Sequence, residues 1–100
     1  MVSYSLRREK DDAGDFGDMC MSAYLENDSN KIIYSHDARP EVGATLRVGT
    51  MYTGTMKWEN WWQTSIITEI IEESENEVKF RTTSGSDYIW KRFQGKQNDY

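Results

Sequence analysis

Val78, Phe80 and Thr82 alternate with Lys79, Arg81 and Thr83. A period of two marks a half-buried strand with one wet face. The surrounding sequence extends the pattern. Trp61-Trp62-Gln63-Thr64-Ser65-Ile66-Ile67-Thr68-Glu69-Ile70-Ile71 is dense in aromatic and β-branched residues, which favour strands. Glu72 to Asn76 reads as a polar turn, and Ser84-Gly85-Ser86 as a short glycine turn. Tyr88 and Trp90 against Ile89 and Lys91 give a last strand that ends near Phe93. Upstream, 42–49 reads as a strand between Pro40 and Gly49. The rival is a helix over 64–75, because Ile66, Ile67, Ile70 and Ile71 also fit a helical stripe. β-branching and strand-like neighbours favour the strand.

In the first third, Met19–Leu25 and Lys31–His36 flank Glu26-Asn27-Asp28-Ser29-Asn30, which reads as a hairpin. Residues 11–18 read as a loop. The expected fold is mainly β: a small antiparallel twisted sheet or SH3-like barrel over 41–93, with an N-terminal hairpin. Within 100 residues there is room for one domain, with 1–40 as loop and hairpin and 94–100 as a tail.

Twelve Lys and Arg against seventeen Asp and Glu give a net charge of −5. That balance argues against direct nucleic-acid binding, which leaves a basic footprint. Aromatics at 13% argue against a disordered acidic tail. No apolar run approaches the ~20 residues of a membrane helix, and the first nine residues lack the apolar core of a secretion signal. The one cysteine, Cys20, excludes an internal disulfide and a cysteine-based zinc site. A reducing, intracellular compartment is the expected location. No cofactor is expected.

Cys20 and His36 are the one nucleophile–base combination, but no orienting group or family signature accompanies them. A thiol between Met19 and Met21 is read as a small hydrophobe. Asp11, Asp12, Asp15 and Asp18 lack the calcium-loop ladder and read as a solvated acidic loop. No catalytic constellation is present, so an enzyme ranks last. Two features remain as partner-binding candidates. Tyr52, Trp58, Trp61 and Trp62 form an aromatic group, with 58–62 expected in a connection between strands, where a small core has no room for every indole. Glu69, Glu72, Glu73, Glu75 and Glu77 form an acidic block, with only Lys79 against them over 63–79. Alternate strand residues lie roughly 6–7 Å apart, the order of phosphate spacing along a nucleic-acid backbone. Carboxylates so placed can imitate phosphates and fill a basic groove.

Val42-Gly43-Ala44-Thr45-Leu46-Arg47-Val48-Gly49, Trp62-Gln63-Thr64-Ser65 with Ile66 and Ile70, and Phe80-Arg81-Thr82 with Ser86 and Tyr88 carry a resemblance over 41–93. The segment resembles small proteins encoded by phages and other mobile elements of Gram-positive bacteria. As a short, acidic, reduced, one-domain chain it is similar to the anti-CRISPR proteins that block Cas nucleases. That class shares no common sequence, so the resemblance transfers no site residues. It implies a stoichiometric inhibitor whose partner is a protein with a basic groove, such as a Cas9-like nuclease. The alternative is a small β-barrel module that binds a protein or peptide through the Trp/Tyr group. For the fold, far-ultraviolet CD is expected to be dominated by β signal; a mostly helical spectrum would convert 64–75 into the rival helix and contradict the reading.

Overall fold

The computed structural model describes residues 2–16, 20–25, 32–34, 38–52 and 57–94. Every regular element among them is a strand: β1 (Val2–Arg8), β2 (Gly14–Phe16), β3 (Met21–Leu25), β4 (Ile32–Tyr34), β5 (Thr45–Tyr52), β6 (Lys57–Gln63), β7 (Ile67–Glu73), β8 (Glu77–Thr82) and β9 (Asp87–Gln94). All ladders are antiparallel. They form a five-stranded sheet in the order β2-β1-β9-β8-β7 and a four-stranded sheet in the order β4-β3-β5-β6. The twisted antiparallel sheet expected from the sequence is therefore realised twice, and among the described residues the ladders do not close into a barrel.

Period two decides which side chains fill the space between the sheets. Leu6 faces Trp90 across β1 and β9, Val78 faces Trp90, and Phe80 faces Tyr88. Leu46 and Val48 come from β5, and all of these are buried. The expected hairpin at 19–36 is present where the chain is described: Tyr24 pairs with Tyr34 and Leu25 with Ile32.

Three expectations need correction. The strand drawn through 61–71 is two strands in different sheets. Thr64 donates its N–H to Leu46 O at 2.9 Å and accepts from Leu46 N at 3.3 Å, so the chain stays beside β5 until it crosses. The segment 58–62 lies inside β6 and not in a connection. Val2–Arg8, which carried no expected element, runs through the five-stranded sheet between β2 and β9, and β2 itself, Gly14–Phe16, falls in the stretch 11–18 expected as a loop.

One chain of buried bonds ties the sheets together. Trp90 is 1% exposed, and its indole N–H donates to Ser22 Oγ at 3.2 Å. Ser22 Oγ in turn donates to Ala38 O at 2.7 Å, and Ala38 N donates back to Ser22 O at 3.3 Å. β9 is thereby linked to β3 and to residues 38–44, a strap across the open side between the sheets. The strap's other end pairs with β7, Gly43 N to Ile67 O at 2.8 Å and Ile67 N to Ala44 O at 2.9 Å. Ser22→Ala deletes one oxygen but strands two buried partners, the Trp90 N–H and the Ala38 carbonyl. It is expected to cost about 2–4 kcal/mol in urea unfolding, since each orphaned buried group costs about 1–3 kcal/mol. A cost within experimental error of zero would contradict this linkage.

Candidate functional site

The β7–β8 hairpin carries the acidic block, and its register sorts the five carboxylates. Ile67, Ile70 and Glu73 lie opposite Thr82, Phe80 and Val78, on the face turned to the core. Glu69 and Glu72 lie opposite Arg81 and Lys79 on the outer face, and Glu77 lies opposite Lys91. Register shifts between Ile67 and Glu69 and between Ile70 and Glu72 let the Ile70-Ile71 pair interrupt strict alternation.

Two carboxylates are engaged within the chain. Glu69 stands 3.6 Å from Arg81, which also donates from Nε to Asp87 at 2.7 Å. Glu73 accepts from Arg39 Nε at 3.0 Å. Arg39 further donates to Glu75 O at 2.8 Å and to Ser74 O, so it holds the backbone of the tip. Arg92 holds the other side, with Nε and Nη2 on Asn76 Oδ1 at 3.2 and 3.1 Å. Glu72, Glu75 and Glu77 are exposed. Among the described residues their carboxylates make no hydrogen bond or ion pair. The acidic block therefore comprises two ion-paired members, Glu72 in β7 in the field of Lys79 across the ladder, and Glu75 and Glu77 at a tip held by two arginines.

Trp61 and Trp62 do not share a face. Consecutive in a strand, they point to opposite sides. Trp62 packs against the core and donates from Nε1 to Tyr88 OH at 3.1 Å. Trp61 is 48% exposed on the outside of the four-stranded sheet, with the Arg47 guanidinium 4.0 Å from its ring. Arg47 is 4% exposed and forks Nε and Nη2 onto Gln63 Oε1 at 3.1 and 2.6 Å. Burial lowers its pKa from the usual guanidinium value. Gly49 makes the local approach possible, because a Cβ there would stand 2.2 Å from Asn60 O and 2.6 Å from Trp61 Cα. Tyr52 and Trp58 belong to β5 and β6, and their side chains lie outside the described residues.

Cys20 is 2% exposed, its thiol 3.8 Å from Thr50 Oγ1 and 3.9 Å from Asp15 Oδ2. Burial pushes its pKa up, the opposite of what a thiolate nucleophile needs. His36 and Asp18 lie outside the described residues. Asp11 and Asp12 serve the β1–β2 turn, Asp11 taking a two-pronged Arg8 at 2.9 and 2.7 Å and Asp12 taking Arg7 at 2.7 Å, while Asp15 lies in β2. No three potential metal ligands cluster among the described residues. Arg39 and Arg92 were missed by sequence reasoning. Each binds a partner remote in the chain, and no local pattern announces it.

Comparison with family models, with curated proteins and with solved structures returns no match.

The turn carboxylates set an acid limit. The Arg8 hydrogen bonds hold Asp11 at a pKa of about 2, and Arg81 lowers Asp87 in the same way. A depressed carboxylate contributes stability that is complete above its unfolded value of about 4 and is lost as pH falls through the folded value. The melting temperature is expected to fall between pH 4 and pH 2, with a shallower fall for Asp11→Asn. An identical acid slope in that variant would contradict the assignment.

Proposed function

We propose that this protein is a non-enzymatic inhibitor that binds another protein at a basic, nucleic-acid-binding surface through the β7–β8 hairpin. The observation that carries the reading is the state of Glu72, Glu75 and Glu77: exposed, with no hydrogen bond or ion pair among the described residues, on or beside a tip that Arg39 and Arg92 hold in place. A tip backbone already held in place needs little further ordering on binding, which lowers the entropic cost of association. Free carboxylates attract a cationic surface at a distance and raise the encounter rate. The non-enzymatic part of the reading is supported by Cys20, whose thiol is buried and whose pKa that burial raises. The resemblance to the anti-CRISPR class makes a Cas9-like nuclease the first partner to test, at its nucleic-acid or protospacer-adjacent-motif site.

The alternative, a protein-binding module using aromatic side chains, keeps one specific support in Trp61, half exposed and backed by Arg47. The two readings differ in kinetics.

The test is displacement of a fluorescent target duplex from a Cas9–guide complex by the purified chain at two salt concentrations. At ~0.2–1 kcal/mol per exposed pair, Glu72→Gln, Glu75→Gln and Glu77→Gln together are expected to weaken binding about three- to a hundredfold, mostly in association rate. Glu69→Gln with Glu73→Gln removes carboxylates already neutralised and is expected to do less. If Trp61→Ala instead costs ~2 kcal/mol or more through faster dissociation and the triple variant binds normally, the aromatic reading replaces this one. No displacement at either salt concentration contradicts the nuclease as partner.

A further inference from the structure

We infer that the outer face of the five-stranded sheet seats an aromatic side chain of the partner, a Trp or a Tyr, between Phe16 and Phe93. This rests on the hairpin reading above and adds a second, apolar contact to it.

Ladder register sets the two rings on one face. Tyr4 and Leu6 are buried toward the core, so Ser3 and Ser5 on the same strand face outward. Ser5 lies opposite Phe16 on one side and Lys91 on the other, and Ser3 lies opposite Phe93. Directly opposed residues of an antiparallel ladder share a face. The rings therefore flank the two serines, on strands two spacings or about 10 Å apart. Carbon atoms in contact sit ~3.5–4 Å apart, so that span admits one further ring. Phe16 and Phe93 are 55% and 49% exposed, and among the described residues Phe93 makes no ring contact.

The floor of this depression and its charges select the occupant. Ser5 is only 7% exposed, yet neither its hydroxyl nor that of Ser3 makes a hydrogen bond among the described residues. A ring without a polar atom would cover these hydroxyls and deprive them of water, whereas an indole N–H or a phenol O–H can bond them. The local cations are already opposed. Arg7 reaches Asp12 at 2.7 Å with its guanidinium 4.1 Å from the Phe16 ring, and Lys91 lies opposite Glu77. A phosphate finds no unopposed cation here, so the depression takes a neutral ring and not a nucleotide.

The position of the depression ties that ring to the partner proposed above. One cross-strand row runs from Phe16 through Ser5 and Lys91 to Glu77, and Glu72 lies on the same face, so the depression is continuous with the acidic hairpin. Surfaces that grip single-stranded nucleic acid set aromatic side chains among their cations. A partner of that kind brings both groups this face lacks: cations for Glu72 and Glu77, and a ring for the space between Phe16 and Phe93. A second copy brings a further net charge of −5 against the same carboxylates, which is repulsive.

The experiment is a titration of the isotopically labelled full chain with acetyl-Lys-Trp-Lys-amide, followed by amide chemical shifts. The equally charged acetyl-Lys-Leu-Lys-amide serves as the control. Saturable shifts at Ser5, Phe16 and Phe93 are expected, with the Trp peptide binding roughly three- to tenfold tighter than the Leu peptide. Phe16→Ala with Phe93→Ala, which leaves the buried core intact, is expected to abolish that preference. Ser5→Ala is expected to weaken the Trp peptide about threefold and to leave a 1-methyl-Trp peptide, which has no indole N–H, unaffected. Equal affinity for the Trp and Leu peptides, or shifts confined to Glu72, Glu75 and Glu77, would overturn the aromatic contact and leave the hairpin reading in place. Saturation of the same amides by a uridine hexanucleotide would make this a nucleic-acid site, and concentration-dependent shifts there in the free chain would assign it to a second copy; either result overturns the proposal. If the triple Gln variant bound its nuclease normally while the Trp peptide still saturated the depression, the hairpin reading would fail and the aromatic contact would stand.

Discussion

The hydrogen-bonded chain from Trp90 through Ser22 to Ala38 is the interaction on which the rest of the structure depends. Trp90 lies on the middle strand of the five-stranded sheet, and its ring packs 5.7 Å from Tyr4. Its one polar atom would be expensive to bury alone, so the location of Ser22 Oγ fixes how the second sheet sits on the first. Ser22 then fixes Ala38, the next residue along is Arg39, and Arg39 reaches the tip of the β7–β8 hairpin. Order passes from a buried indole to an exposed acidic loop in four steps. The Arg39 guanidinium also lies 5.5 Å from the Trp90 ring, which closes the circuit.

This arrangement reconciles two demands on the hairpin. A hairpin with five glutamates repels itself, and without restraint its carboxylates would spread. Arg39 and Arg92 bind mostly backbone and amide oxygens of the tip: Ser74 O and Glu75 O for the first, Asn76 Oδ1 for the second. They stiffen the backbone while consuming only the Glu73 carboxylate. On the outer face the balance is closer, with Arg81 on Glu69 and Lys79 bonded to Glu9 at 3.0 Å. The negative field is therefore concentrated at the tip, and at physiological salt it acts within about 8 Å.

Period two made much of the fold legible. Val78, Phe80 and Thr82 with Tyr88 and Trp90 gave β8 and β9 because one face of that hairpin is buried and the other wet. The change of sheet at 64–66 left no mark, since Thr64 is β-branched on either side of the boundary and serves as both donor and acceptor to Leu46. β1 escaped notice because Ser3 and Ser5 dilute the alternation of Tyr4 and Leu6, although both of those are buried. Trp61 and Trp62 looked like one cluster only while they were placed in a connection; in a strand, adjacent residues part company. The acidic block was visible as composition, but its division into paired and free carboxylates was not. That division depends on Arg39 and Arg92, 36 and 16 residues away from the tip groups they bind.

Native-state hydrogen exchange of the free protein tests the central claim most directly: that the strap and the buried indole belong to one cooperative unit with the hairpin. The account predicts that the Trp90 indole N–H, the Ala38 amide and the Ile67 amide exchange only through global unfolding, with the same free energy as the Phe80 amide in β8. Exchange of Ala38 and the indole through a local opening far less costly than that of Phe80 would contradict it, because the hairpin tip would then be held by a strap that is itself loose.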